Sequence, residues 1–239
     1  MLLGVYNYTV VLTYLAMLIS FVGIHFAFND QYNAALLCLM ISGVFDMFDG
    51  RVASTKKNRT AAEKLFGIQI DSMCDLICYG VFPALIVYHL GNGSRLITSV
   101  CALYCLCAMI RLSWFNVDEI ERQNKTTDSR HEYRGLPVTT AALVMPAIFI
   151  FCYFTRHSVH FVGVAALAAM GICFITPFKL IKPGVLGKIV MILVGIAEIV
   201  LLILGAGRVL ERTKPLVSGS ESETPVIDAL TEAIDVGAE

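Results

Sequence analysis

Charge is scarce in this sequence. Asp, Glu, Lys and Arg make up 15% of its 239 residues, where soluble domains carry about 25%. Hydrophobic residues reach 57% and mean hydropathy is +0.73, which excludes a disordered chain, a small disulfide scaffold and an ordinary cytosolic enzyme. Neither sign of charge dominates. Eighteen basic residues face nineteen acidic ones, and a formal charge of −1 leaves no basic field for nucleic acid. No basic n-region precedes the first apolar run, so no cleavable signal peptide is expected. No repeat of solenoid period is visible. The eight cysteines all fall in apolar stretches. Cys101, Cys105 and Cys107 cluster, yet no second ligand group stands at zinc-like spacing, so they read as small buried hydrophobes.

What is present is a succession of long apolar runs. Seven stretches qualify as membrane spans: 8–27, 34–53, 62–90, 95–115, 138–155, 159–178 and 185–207. They lack the alternation of an outer-membrane barrel, so the expected fold is all-α, a polytopic transmembrane helix bundle. Pro83 and Pro146 fall inside spans, where kinks are expected, and Pro177 and Pro183 bracket a break. Residues 1–210 read as one transmembrane catalytic domain. Residues 211–239, rich in Ser, Glu and Thr, read as an acidic disordered tail.

The loops orient the bundle. Thirteen of the eighteen basic residues fall in or beside alternate loops: Arg51 to Lys64, Arg111 to Arg134, and Lys179 to Lys188. By the positive-inside rule that side is cytoplasmic, with the N-terminus inside and, after seven crossings, the C-terminus outside. Most of the charged loop 117–132, His131 included, reads as solvated surface. His25, His89, His157, His160 and Trp114 read as interfacial.

Four carboxylates break the apolar pattern. Asp46 and Asp49 lie on the second span at i,i+3, and Asp71 and Asp75 on the third at i,i+4. Each pair therefore shares one helix face. A charge in a bilayer costs ~2.5–3.5 kcal/mol on insertion scales, so such residues need a reason. Asp46 lies ~10 Å along its helix from Ala53, and Asp71 ~14 Å from Ala62, which sets the site in the cytoplasmic half. All-oxygen ligation favours Mg²⁺ or Mn²⁺ over zinc, and a pair of such ions suits displacement at phosphorus. The alternatives are aspartates buried against Arg51 and Arg111, or the ion pathway of a divalent-cation transporter. Gly50 follows Asp49, and Gly67 precedes Asp71 by one turn. In a helix each glycine costs ~1 kcal/mol relative to Ala, which points to something approaching the backbone or to helix packing.

The pattern Asp46-x2-Asp49-Gly50-x2-Ala53, then Gly67-x3-Asp71-x3-Asp75, resembles the signature of the CDP-alcohol phosphotransferase family. The flanks Phe48 to Ala53, Phe66 to Ser72, Arg111 to Asn116 and Tyr133 to Thr140 are most similar to the bacterial-type phosphatidylserine synthase branch. The resemblance covers roughly residues 8–178 and implies a six-helix core, to which the seventh span is an addition. It implies transfer of a phosphatidyl group from CDP-diacylglycerol to L-serine, releasing CMP, by an enzyme of the cytoplasmic membrane that forms a homodimer. It also implies that Asp46, Asp49, Asp71 and Asp75 hold two Mg²⁺ or Mn²⁺ ions, with Asp75 as base. Gly50, Ala53 and Gly67 would line the pocket for the CDP moiety. Arg111 and Arg134, at span edges, are candidates for gripping the lipid phosphate or the carboxylate of serine. Glycerol phosphate or inositol phosphate remains open as acceptor. One signature position departs: Ser54 stands where the family has Arg, and the spacer to Gly67 is longer than usual.

Overall fold

The computed structural model describes residues 3–125, 132–181 and 185–204. The tail at 211–239 and His131 lie outside them. The described chain forms seven helical stretches. The first two, α1 (Val11–Phe28) and α2 (Tyr32–Ser54), form an antiparallel hairpin. A continuous helix follows, composed of α3 (Ala61–Asp75), a π-helical segment (Leu76–Val81) and α4 (Phe82–Leu90). Then come α5 (Arg95–Lys125), α6 (Ala141–Thr155), α7 (Val159–Ile175) and α8 (Val185–Ile203). The expected all-α membrane bundle is present. Val11–Phe28, Ala61–Leu90, Arg95–Glu121 and Val138–Thr155 are each long and apolar enough to cross a bilayer, while Val159–Ile175 and Ile189–Ile203 are shorter apolar helices.

Two differences from the sequence reading have clear causes. The fourth stretch does not end at residue 115: helix continues to Lys125, through part of the expected solvated loop. Charges at Asp118, Glu119, Glu121, Arg122 and Lys125 recur at spacings that suit a polar helical extension. A two-stranded antiparallel ribbon pairs β1 (Glu132–Arg134) with β2 (Lys179–Ile181). Three-residue strands leave too little alternation for sequence to signal them. Gly135 closes the ribbon at φ +75°, a conformation suited to glycine, and its N–H donates to the Phe178 carbonyl at 2.7 Å.

Pro83 acts where expected, through a widened turn. It occupies the start of α4, and the N–H of Phe82 reaches back to the Ile77 carbonyl. Proline has no N–H for the carbonyl four residues earlier, that of Tyr79. The buried hydroxyl of Tyr104 on α5 supplies the donor, at 2.7 Å. A neighbouring helix thus satisfies the backbone group that proline leaves open, as a bilayer interior demands. At Pro146 the helix continues unbroken.

The core lies between α1, α2, α4 and the inner faces of α5 to α7, with Leu36, Leu39, Phe82, Ile86, Tyr104, Phe149 and Phe174 fully buried. Gly23 lets α1 approach closely: a Cβ there would collide with the Phe82 ring and with Cys38. Glu198 on α8 is also buried, and its Oε2 accepts no hydrogen bond. A single carboxylate in a long apolar run formed no pattern in the sequence.

Overpacking a tight contact typically costs about 1–3 kcal/mol. Gly23→Val should therefore lower the thermal midpoint of the detergent-solubilised protein, measured by intrinsic fluorescence. An unchanged midpoint would show that α1 does not rest on Phe82.

Candidate active site

The site is built on the turn between α2 and α3. Residues 55–60 reverse the chain, and a capping box starts α3: Thr60 Oγ1 accepts from the Glu63 N–H at 3.1 Å, while Glu63 Oε2 accepts from the Thr60 N–H at 2.9 Å. The other Glu63 oxygen accepts from Lys56 Nζ at 2.6 Å and from Asn7 Nδ2 at 3.0 Å. One side chain thus joins the N-terminal segment, the turn and the first turn of α3. This geometry sets where α3 begins, and so which of its residues face α2.

The two aspartate pairs meet across that hairpin. Carboxylate oxygens of Asp46, Asp49 and Asp71 all lie within 4.8 Å of one another. Asp75 stands one turn beyond Asp71, outside this trio, with its carboxyl in hydrogen-bonding reach of Asp46. Asp49 Oδ2 accepts from Thr13 Oγ1 on α1 at 3.1 Å. Asp71 Oδ1 is buried and accepts no hydrogen bond. Among the described residues no Lys or Arg forms an ion pair with any of the four. Arg51, a partner in the alternative reading, instead lies over the Phe48 ring at 5.8 Å.

This donor set fits a hard divalent cation. The ligands are all carboxylate oxygens, one buried oxygen lacks a donor, and among the described residues no basic side chain forms an ion pair with the cluster.

Beside the carboxylates opens a pocket of about 690 Å³. Asp49, Asp71, Gly50, Ala53 and Gly67 line it, together with Thr9 and Thr13 from the start of the chain. Asp46 and Asp75 do not; they lie further along their helices. The two glycines differ. A Cβ on Gly50 would meet nothing within 4 Å, so that backbone is open to the pocket. At Gly67 a Cβ would come within 2.6 Å of Arg59 Nη2, so the guanidinium of Arg59 already occupies that surface. Arg59 Nη2 also donates to the Glu63 carbonyl at 3.2 Å. Lys56, Lys57 and Lys64 complete a basic rim, and Ser54, also on the wall, turns its hydroxyl back to the Arg51 carbonyl at 2.7 Å.

Arg111 is not on the pocket wall. It is buried on α5, 5.4 Å from the centroid of the Phe115 ring, with Nε near Gly135. The Arg134 backbone pairs with Lys179 in the ribbon that begins beside that glycine. Gly135 thus links the helix that carries Arg111 to the ribbon that carries Arg134.

Sequence reasoning passed over Thr13 and Glu63. Thr13 sits in an apolar run with nothing to distinguish it from other helix threonines. Glu63 did carry a signal, since Thr60-x-x-Glu63 before an apolar run is a helix-start pattern.

Comparison with known proteins finds relatives of one kind. The chain is 28% identical over 152 residues to an archaetidylserine synthase of Methanothermobacter thermautotrophicus, covering 63% of this chain and 61% of that protein. It is 30% identical over 145 residues to a CDP-diacylglycerol–serine O-phosphatidyltransferase of Helicobacter pylori, covering 60% and 55%. The enzyme of that name from Saccharomyces cerevisiae is 34% identical over 110 residues, covering 45% and 38%. The chain thus spans about 40 to 60% of the length of these relatives. The model of the CDP-alcohol phosphatidyltransferase family matches residues 6–178, a stretch that contains all four aspartates, the capped turn and the pocket. The chain belongs to the CDP-alcohol phosphatidyltransferase family.

Proposed function

We propose that this protein transfers the phosphatidyl group of CDP-diacylglycerol to the hydroxyl of L-serine, giving phosphatidylserine and CMP, at the cytoplasmic face of the cell membrane. The observation that carries the reading is the convergence of Asp46, Asp49 and Asp71 on a pocket with small walls and a basic rim. The relatives bearing serine phosphatidyltransferase names favour serine as acceptor. The protein is proposed to work as a homodimer.

Two Mg²⁺ or Mn²⁺ ions held by Asp46, Asp49, Asp71 and Asp75 would neutralise the diphosphate and the charge developing on the departing phosphate. The protein's own groups do the rest. Gly50 and Ala53 leave room for the cytidine, and Arg59 and the lysines of the rim face the phosphates. Asp75 takes the proton from the serine hydroxyl, whose oxygen forms the new bond to the phosphatidyl phosphorus. The bond from that phosphorus to the bridging oxygen breaks, and its electron pair leaves with CMP. Arg111 and Arg134 remain candidates for the lipid phosphate or the serine carboxylate.

The direct test offers purified protein CDP-diacylglycerol with Mn²⁺ or Mg²⁺, and labelled serine, glycerol 3-phosphate or inositol phosphate in turn. Serine alone should yield labelled lipid, and Asp49→Asn and Asp71→Asn should each abolish turnover and weaken Mn²⁺ binding. Labelling by a phosphorylated acceptor would reassign the substrate. Metal transport without nucleotide dependence would reassign the class.

Asp75→Asn separates base from ligand. Its kcat should fall by about 100-fold or more, the scale of general-base catalysis, with CDP-diacylglycerol affinity largely kept. Equal losses of both would make metal ligation its main work.

The rim yields a third expectation. A charge-assisted contact to phosphate contributes about 1.5–3 kcal/mol. Arg59→Ala should raise the Kd for CDP-diacylglycerol about tenfold or more, most strongly at low ionic strength. Adding Ser54→Arg to that variant should restore much of the affinity. If neither change alters binding, the diphosphate lies elsewhere.

A further inference from the structure

Resting on the metal-dependent reading above, we infer that Thr13 is a positioning residue for the cation site, fixing the carboxylate of Asp49 from a helix that carries no ligand. Threonines inside helices ordinarily turn their hydroxyl back to the carbonyl four residues earlier. In this protein Thr98 and Thr155 do so, donating to the Ser94 and Phe151 carbonyls at 3.0 and 2.8 Å. Thr13 does not. Its Oγ1 donates across the helix interface to Asp49 Oδ2 at 3.1 Å, and the residue is 5% exposed.

The same residue also holds the second ligand-bearing helix. The Thr13 carbonyl accepts from Cys74 Sγ at 3.2 Å, and Cys74 immediately precedes Asp75. Thr13 therefore ties α1 to α2 through its hydroxyl and to α3 through its backbone. Carboxylates that ligate metals depend on such outer hydrogen bonds. The donor selects one rotamer and leaves the other oxygen free to face the ion. Here Thr13 engages Asp49 Oδ2 in that way.

The experiment titrates Mn²⁺ alone into the full-length protein in detergent, following free Mn²⁺ by electron paramagnetic resonance. Thr13→Val, which keeps the shape and removes the hydroxyl, should weaken Mn²⁺ binding about 10- to 100-fold. Thr13→Ser should restore it. In the transferase assay Thr13→Val should raise the Mn²⁺ concentration needed for half-activity. Unchanged Mn²⁺ affinity in Thr13→Val, or Thr13→Ser as weak as Thr13→Val, overturns the inference. Asp71→Asn is the control. If it loses Mn²⁺ while Thr13→Val keeps it, only the role of Thr13 falls; if it binds like wild type, the metal reading of the site falls as well.

Discussion

Uncompensated negative charge is the constraint to which this bundle answers. Four carboxylates stand on two adjacent helices of an otherwise apolar protein, and no lysine or arginine pairs with any of them among the described residues. Charge of this kind is expensive in a membrane and repels itself at short range. The arrangement is stable only if cations enter it or protons are shared, and it must be held in register meanwhile. The capping box at Thr60, the three-way grip of Glu63 and the Thr13 hydroxyl all act on that register. These contacts hold the carboxylates in place before any ligand arrives, as preorganised electrostatics requires.

Rigidity is supplied from further along the same helices. Close approach at Gly23 seats α1 against Phe82, and Tyr104 closes the backbone gap that Pro83 opens. The π-helical segment begins at Leu76, directly after Asp75. Single π turns inside helices concentrate at functional sites because they let the two halves of one helix present different faces. Here the upper half presents carboxylates to α2, and the lower half presents Phe82, Ile86 and Val87 to the core. One regular helix would hold both faces in a single continuous phase.

Much of this was legible in the residues. Apolar runs long enough to span a bilayer located the helices, and aspartates at i,i+3 and i,i+4 located the site, because both signals rest on local periodicity. The rest depends on contacts between segments distant in sequence. Thr13 meets Asp49 across 36 positions and Asn7 meets Glu63 across 56, and nothing in either local sequence records its partner. The two glycines looked equivalent. Only packing shows that one faces open space and the other lies under Arg59. The ribbon escaped notice because its strands are too short for alternation. The extension of α5 to Lys125 is not legible because a charged stretch suits a solvated loop and a polar helix end equally.

The pocket has two electrostatic layers, and their order bears on how a substrate enters. Carboxylates lie along α2 and α3, while Lys56, Lys57, Arg59 and Lys64 form the rim. An anionic diphosphate drawn in by the rim alone would meet two aspartates on the wall, so attraction outside turns to repulsion inside. Cations on the carboxylates would reverse the inner layer and make the whole path attractive. Under the proposed function a donor nucleotide would gain from both layers only with the metal bound, whereas a small zwitterionic acceptor would carry no net charge through either. Under the proposed function the basic rim would govern how fast the donor is captured and how salt affects it. The inner carboxylates govern whether it stays. That division keeps the long-range, screened part of recognition apart from the short-range part that also serves the chemistry.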